Sequence, residues 1–249
     1  MSFDDWASLA IPILFVTFLL LERLVGGGRR FPAIPWWTLI GIGGFLVTGL
    51  VNALLPAVLV PFLGRLRLLD LSMLGLWGAI PAVILTTFFT YWTHRLQHRF
   101  DVLWRLGHQL HHSVARVDVA SAAIFHPVDV FVQVAATILA ASLLGVTAHA
   151  AGVAGVFGFF LAVFQHWNVR TPRWVGWVIQ RPEAHCLHHE RDVHARNFGD
   201  ITWWDMIFGT YNNPPDFAGE VGFAPERGRR VLAMIGFVDV NQTGNRAKI

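Results

Sequence analysis

The chain has 249 residues, of which 54% are hydrophobic and 14% are charged. Soluble domains carry about 25% charged residues, so this composition excludes an ordinary soluble domain and indicates that a bilayer is part of the solvent. The formal net charge of +3 comes from basic residues in loops between apolar segments, and we therefore predict no nucleic-acid partner. The single cysteine, Cys186, excludes an internal disulfide and a cysteine-based zinc or iron–sulfur site.

Five apolar segments follow one another along the chain, each with roughly the 17–25 residues that a spanning helix needs. They cover residues 8–25, 36–63, 71–93, 128–146 and 149–165. The last two are rich in Ala and Gly, which permits close helix approach, and they could span the membrane or form a re-entrant hairpin. The sequence therefore predicts an all-α integral membrane protein with about four to five membrane helices.

The basic residues predict the orientation of these segments. If the N-terminus is outside, every one of the 19 Lys and Arg residues except Arg65 and Arg67 lies on the inner side, which is a strong positive-inside bias. We therefore predict that the histidine-rich part of the chain forms a cap on the cytosolic face. The preference for Arg over Lys indicates a GC-rich bacterial gene, and hence the bacterial inner membrane.

Most of the 12 histidines fall into three clusters, and the word His-x2-His-His occurs twice, at residues 108–112 and 185–189. Residues i, i+3 and i+4 of an α-helix lie on one side, so each cluster is predicted to present its imidazoles on one face, a turn apart. The first cluster directly follows the third apolar segment, whose helix is predicted to continue through it. The clustered residues are His94, His98, His108, His111, His112, His185, His188 and His189.

Metal binding explains this pattern better than the alternatives. Histidines near a membrane boundary can be interfacial residues or pH sensors, and structural zinc sites are usually four-coordinate and usually include cysteine. Eight imidazoles exceed one tetrahedron and indicate two metals, and all-nitrogen ligation suits Fe, Zn, Cu or Ni rather than Mg or Ca. His149, a lone histidine on an apolar helix, is predicted to be a packed core residue.

The ordered set of clusters resembles the fatty acid hydroxylase and sterol desaturase superfamily. Residues 165–168 (Gln-His-Trp-Asn) resemble its Gln/Phe-His-x-Asn element, and residues 126–129 (His-Pro-Val-Asp) resemble its His-Pro-x-Glu element, here with Asp. Residues 197–199 (Asn-Phe-Gly) and 204–211 (Trp-Asp-Met-Ile-Phe-Gly-Thr-Tyr) resemble its Asn-Tyr-Gly and Trp-Asp-x-x-Phe-Gly-Thr signatures. The resemblance implies a catalytic domain at residues 80–225, between transmembrane helices at 1–79 and a cytosolic tail at 226–249.

The resemblance implies a non-haem di-iron centre that uses O2 to oxidise a lipid C–H bond. It implies the eight clustered histidines as metal ligands, His166 as a ninth, and His126 as a weaker candidate. Ligating histidines usually donate their other N–H to a carboxylate or carbonyl. The residues available for this supporting role are Asn168, Asn197 and Asp205, together with Asp129 and Asp192. Asp205 could equally anchor a turn, and no separate acid–base residue is assigned.

The predicted function is an iron- and O2-dependent hydroxylase acting on a fatty acyl, sterol or related lipid chain. A lipid desaturase or an aldehyde-forming oxidase would use the same metal centre. The alternative of another class is a metal transporter or a non-catalytic, metal-stapled membrane protein. A transporter would place its ligands in mid-span, whereas these histidines cluster at span ends. No nucleotide-binding glycine motif or haem-attachment motif is visible, so electrons are expected from a separate reductase or a carrier of the ferredoxin or cytochrome b5 type.

Overall fold

The computed structural model describes residues 3–193 and 195–241, and within these ranges the fold is almost entirely helical. The β-pairing in this part of the chain consists of two isolated bridges. The helices are α1 (Phe3–Val25), α2 (Trp37–Leu63), α3 (Ala79–Arg99), α4 (Asp101–Leu103), α5 (Gln109–His112), α6 (Pro127–Leu144), α7 (Ala148–His166), α8 (Pro182–His188), α9 (Thr202–Phe208), α10 (Pro225–Gly228) and α11 (Val231–Ile235). Between them lie the 3₁₀ turns Ser72–Gly78, Val119–Ala123 and Arg173–Trp177, and the π-helical turn Trp104–His108.

Four of the described helical segments are long and apolar enough to cross a membrane. They are Trp37–Leu63, Ser72–Arg99, Pro127–Leu144 and Ala148–His166. The predicted all-α membrane fold with four to five membrane helices is therefore confirmed. Both helices of the α6–α7 pair meet this criterion, which favours two full spans over a re-entrant hairpin.

The long helices pack through small side chains. α3 lies between α6 and α7, α1 packs on α7, and α2 packs on α6. Ala79 and Ala82 of α3 form a buried cluster with Ala150 and Ala154 of α7, as expected where helices approach closely in a membrane. α2 leaves most of its apolar surface exposed, which suits contact with lipid tails rather than with protein.

Five helix ends meet at one end of the bundle, which we call the histidine end. They are the C-terminal ends of α1, α3 and α7 and the N-terminal ends of α2 and α6. The Glu22 carboxylate of α1 accepts hydrogen bonds from the backbone N–H groups of Asn168 (2.8 Å) and Val119 (3.2 Å). The Trp37 indole of α2 donates to the Asp118 carboxylate at 2.8 Å. These bonds join the ends of different spans, so the short segments after α3 and α7 are held against the bundle.

The segment predicted to begin a cytosolic tail packs against the histidine end as far as Asn241. Met234 and Val240 are buried in a cluster with Trp104, Leu110 and Phe223. The Gln109 side chain donates to the Val238 carbonyl at 2.9 Å and accepts from the Val240 N–H at 3.4 Å. Residues 226–241 are therefore part of the folded unit, and residues 242–249 of the predicted tail lie outside the described residues.

A glycine pair in α2 provides a test of this packing. A Cβ on Gly41 would lie 2.6–2.7 Å from Ala120 in the turn after the first histidine word, whereas one on Gly43 would have no atom within 4 Å. Gly41→Ala is expected to destabilise the protein by about 1–3 kcal/mol through overpacking. Gly43→Ala should stabilise it by about 0.5–1 kcal/mol, because alanine is the better helix former. Thermal unfolding in detergent measures both, and equal shifts would contradict the packing described here.

Candidate metal centre

Nine buried or nearly buried histidines form two adjacent groups whose ring nitrogens could each hold a metal ion. In each group the candidate ligand atoms lie within 4.8 Å of one another. The first group is His94, His98, His108, His112 and His188, and the second is His111, His166, His185 and His189. The nine are the eight clustered histidines and His166. α3 and α7, which carry His94, His98 and His166, end at this point, and the other six lie on short helical turns or directly after one.

The two copies of the His-x2-His-His word divide between the two groups. Each word sends its i and i+4 residues to one group and its i+3 residue to the other, so His111 and His188 cross over. The prediction that each word presents its imidazoles on one face is therefore too simple. The turn that leads into His108 is π-helical, and His189 lies just beyond the end of α8. Each word nevertheless contributes rings to both groups.

Spacings between ring nitrogens fit shared metal ligation. Nε2 of His185 lies 3.2 Å from Nε2 of His166 and 3.1 Å from Nε2 of His189. In the first group, Nε2 of His188 lies 3.1 Å from Nε2 of His112. Two nitrogens bound to one metal at about 2.1 Å, at angles between about 90° and 109°, lie roughly 3.0–3.4 Å apart. The observed spacings are therefore those expected along the edges of a coordination polyhedron.

The other nitrogen of most of these rings is held by the protein. An oxygen acceptor lies 2.5–3.3 Å from Nδ1 of His94 (Phe198 O), His108 (Asp129 Oδ2), His111 (Ile124 O), His166 (Ala162 O) and His188 (Arg196 O). Each of these bonds places the proton on Nδ1 and leaves Nε2 as the free lone pair. Among the described residues, the buried Nε2 atoms of His94 and His108 have no hydrogen-bond partner. These orphaned acceptors point into the first group and fit a metal.

The electrostatic environment favours neutral rings. Burial lowers the pKa of His111, His112, His185 and His189 well below the usual range, and neighbouring imidazoles lower it further. A neutral imidazole is the form that binds a metal. The rings are therefore ready for ligation at neutral pH without first losing a proton.

Aromatic side chains close the site on several sides. The buried Trp104 ring packs 5.2 Å from the His98 ring and 5.3 Å from the His112 ring. Phe125 stacks on His111 with ring centroids 4.2 Å apart, and Phe198 lies 5.5 Å from His94. Because this wall is apolar, it limits the access of water to the two groups.

The remaining sequence-predicted residues lie outside the two groups. His126 caps α6, since its Nδ1 accepts from the Val128 N–H at 3.1 Å, and its Nε2 faces the Ile235 carbonyl. Asp192 lies beside Arg227, away from the rings. His149 is exposed at the start of α7 rather than packed in the core, so that prediction is wrong.

Of the five residues predicted to support the ligands, Asp129 contacts one directly. Its buried carboxylate accepts from Nδ1 of His108 at 2.8 Å and from the Gln97 amide at 3.0 Å. Asn168 bridges to the backbone of Arg29, and Asn197 donates to the Ala184 carbonyl, so the hydrogen bonds described for both side chains go to the backbone of other residues.

Asp205 acts on the site through a loop. Its carboxylate accepts from the backbone N–H groups of Phe198 and Gly199, each at 2.8 Å, and from the Thr210 hydroxyl at 2.6 Å. These bonds fix the loop whose Phe198 carbonyl holds Nδ1 of His94 at 2.7 Å. Burial raises the pKa of Asp205 to about 6. The geometry therefore combines the two predicted readings of Asp205, since it anchors a turn and the turn supports a histidine.

One supporting residue, Gln180, was missed by sequence reasoning. Nε2 of its buried amide lies 2.6 Å from Nδ1 of His185, and its Oε1 has no hydrogen-bond partner in the described part of the chain. The amide can turn so that Oε1 accepts from Nδ1–H, which leaves Nε2 of His185 free for its group. No spacing signal could have identified Gln180, because it lies outside every histidine cluster.

The family assignment follows from comparison with known proteins. The profile described as fatty acid hydroxylase matches residues 79–210, more than half of the chain. The chain belongs to the fatty acid hydroxylase family. This match includes all nine histidines of the two groups, and it confirms the resemblance drawn from the sequence motifs.

Curated relatives of this family member have names that refer to lipids. An ornithine lipid hydroxylase of Rhizobium tropici is 32% identical over 141 residues, which are 55% of this chain and 42% of that protein. A Delta(7)-sterol 5(6)-desaturase of Gibberella zeae is 28% identical over 149 residues, 55% of this chain and 43% of that protein. The alkylglycerol monooxygenase of Homo sapiens is 25% identical over 154 residues, 58% of this chain and 33% of that protein. The chain thus spans less than half the length of these relatives, and no solved structure matches it.

Proposed function

We propose that the protein is an iron- and O2-dependent membrane lipid hydroxylase. The observation that carries the proposal is the pair of adjacent groups, one of five and one of four histidines, at the ends of apolar helices. Their all-nitrogen character suits iron among other transition metals, and the family membership favours two irons. When bound, the two irons would supply the activation of O2 for oxidation of a lipid C–H bond.

The protein's own residues hold and shield this centre. The nine histidines would be the ligands, with His126 left to cap α6. Asp129 and Gln180 orient His108 and His185, and Asp205 orients His94 through the Phe198 carbonyl. Asn197 and Asn168 support the site indirectly, through hydrogen bonds that hold the backbone near Ala184 and Arg29. The aromatic wall around the groups keeps water away from the reacting carbon.

The location of the site supports a lipid substrate. The two groups lie where membrane helices end, so an alkyl chain can approach from the bilayer while electrons and protons arrive from the aqueous side. The names of the relatives refer to an ornithine lipid, a sterol and an alkylglycerol, and we propose a fatty acyl, sterol or related lipid for this chain. A separate ferredoxin- or cytochrome b5-type carrier would deliver the electrons. We place the histidine end on the cytoplasmic face of a bacterial inner membrane, on the strength of the positive-inside bias.

The test combines metal analysis with lipid analysis. The protein is purified in detergent for metal content, and lipids of cells with and without the gene are compared by mass spectrometry under ¹⁸O2. About two irons per chain and a lipid that gains one ¹⁸O atom are expected. A lipid that loses two hydrogens without gaining oxygen would indicate a desaturase instead. One zinc per chain, an unchanged lipid profile and no effect of His111→Ala would together overturn an oxygenase function.

A further inference from the structure

An open groove lies at the histidine end, between the end of α1 and the start of α2. It has a volume of about 720 Å³ and is open over most of its extent. Arg23, Trp36, Trp37, Leu39, Ile42 and Arg116 line it, and we call it the arginine groove. Two of the lining residues are arginines, and none is an acid or one of the nine histidines. The arginine groove is therefore separate from the candidate metal centre.

One of the two arginines is held in place. Arg116 donates to the Asp118 carboxylate at 2.6 Å and to the Pro32 carbonyl at 2.7 Å. Its guanidinium also lies 6.0 Å from the centre of the Trp37 ring, a cation–π distance. Since Trp37 donates to the same carboxylate of Asp118, the wall that carries Arg116 is rigid. Asp118 balances the charge of Arg116, so Arg116 offers a phosphate a positioned guanidinium, and the uncompensated positive charge of the groove comes from Arg23.

The other arginine, Arg23, is exposed. Among the described residues Arg23 donates to the Thr38 hydroxyl at 3.2 Å, and no acid lines the groove around it. Its charge is thus unneutralised within the arginine groove. Because it follows the apolar part of α1, its long side chain can reach a headgroup at the membrane boundary.

The rest of the arginine groove is apolar and continues along α2. Trp36 is 76% exposed, Leu39 is 59% exposed and Ile42 is 37% exposed. α2 is a candidate span that begins at Trp37, so these side chains lead from the boundary towards the bilayer. The two arginines therefore stand at the aqueous end of a surface suited to an acyl chain.

We infer that the arginine groove binds an anionic phospholipid, with the phosphate between Arg23 and Arg116 and an acyl chain along Leu39 and Ile42. The same phosphate chemistry would accept free inorganic phosphate, but only a lipid uses the apolar half. Basic pockets between membrane helices are suited to anionic headgroups. The arginine groove shares no residue with the two histidine groups, so this inference does not depend on the proposed function.

The test is native mass spectrometry of the purified full-length protein with dioleoyl phosphatidylglycerol, dioleoyl phosphatidylcholine or inorganic phosphate. The wild-type chain is expected to bind one phosphatidylglycerol about tenfold more tightly than phosphatidylcholine. Arg23→Gln should weaken phosphatidylglycerol binding by about tenfold, because it removes a charge-assisted contact, and should leave phosphatidylcholine binding unchanged. Thr38→Val, which removes the arginine's own partner but keeps the charge, should stay within about twofold of the wild type.

Arg30→Gln is the matched control, since Arg30 is an exposed arginine of the adjoining loop that does not line the arginine groove. An equal loss of phosphatidylglycerol binding in Arg23→Gln and Arg30→Gln would overturn the inference, because it would show only general attraction to positive charge. Inorganic phosphate that displaces phosphatidylglycerol at equal concentration would also overturn it and would indicate a free-anion site. Equal affinity for the two lipids would do the same.

Discussion

Replacing His185 with alanine is expected to lower the metal content from about two ions to about one per chain, and to lower lipid oxidation by about 100-fold or more. His185 is central in the four-histidine group, 3.2 Å from His166 and 3.1 Å from His189 through their Nε2 atoms. Without its ring, three nitrogens remain and the shared edges of the group are lost. The five-histidine group keeps all its members and should keep its metal.

His126→Ala is the matched control. It removes a buried histidine from the same end of the bundle, but one whose ring caps α6 rather than joining a group. The metal content should stay at the wild-type value, while loss of the cap lowers the free energy of unfolding by roughly 1 kcal/mol. Elemental analysis of the folded, detergent-purified variants measures the metal. If His126→Ala lost a metal and His185→Ala kept both, the assignment of ligands to the two groups would be wrong.

The helices and the candidate ligands could be predicted because both depend on local spacing. Long apolar runs predicted both ends of α2, α6 and α7 to within two residues. The helix of the third run continues through His94 and His98, as expected. A run of apolar residues fixes a spanning helix whatever its neighbours are. The recurrence of imidazoles at helical spacing likewise indicates a common ligand surface before any tertiary contact is known.

The partition of the ligands could not be predicted, because it depends on how separate segments meet. Each word sends its i+3 residue, His111 or His188, to the group opposite its i and i+4 residues. Which residues of the two words share a group depends on how the words meet, through the rings of His112, His188 and His189. The supporting oxygen atoms of Ile124, Ala162 and Arg196 are backbone carbonyls, which any residue provides. Sequence patterns carry no signal for such partners.

The packing of the C-terminal segment could not be predicted from its composition either. The stretch after Asn212 is rich in Pro, Gly and polar residues, which is typical of a solvated tail. Its few apolar residues nevertheless include Met234 and Val240, which fill the space beside Trp104. Two or three buried side chains can hold a segment whose average composition predicts no packing, since burial of a single large side chain contributes about 1.5–3 kcal/mol.

Asp129→Asn is expected to lower metal affinity and lipid oxidation by about 10- to 100-fold while the protein stays folded. The carboxylate of Asp129 accepts from two donors, Nδ1 of His108 at 2.8 Å and the Gln97 amide at 3.0 Å. An asparagine can still accept from Nδ1 of His108, and its N–H2 group can donate to the Gln97 amide once that amide turns. What the substitution removes is the negative charge beside the ring. The His108 ring would then lose the charge-assisted hydrogen bond that orients it and raises its basicity.

A double-mutant cycle shows whether Asp129 acts through His108. Metal affinity is measured by competition with a chelator for the wild type, Asp129→Asn, His108→Ala and the double variant. If the carboxylate works by orienting the ring, Asp129→Asn should change affinity by no more than about twofold once His108 is absent. A full 10- to 100-fold loss in the His108→Ala background would instead mean that Asp129 supports the fold of the site as a whole.

Asp205→Asn provides the contrasting case. Because the Asp205 carboxylate holds a loop through two backbone N–H groups, the substitution is expected to act mainly on thermal stability. The two aspartates should therefore separate, one in metal affinity and the other in unfolding temperature.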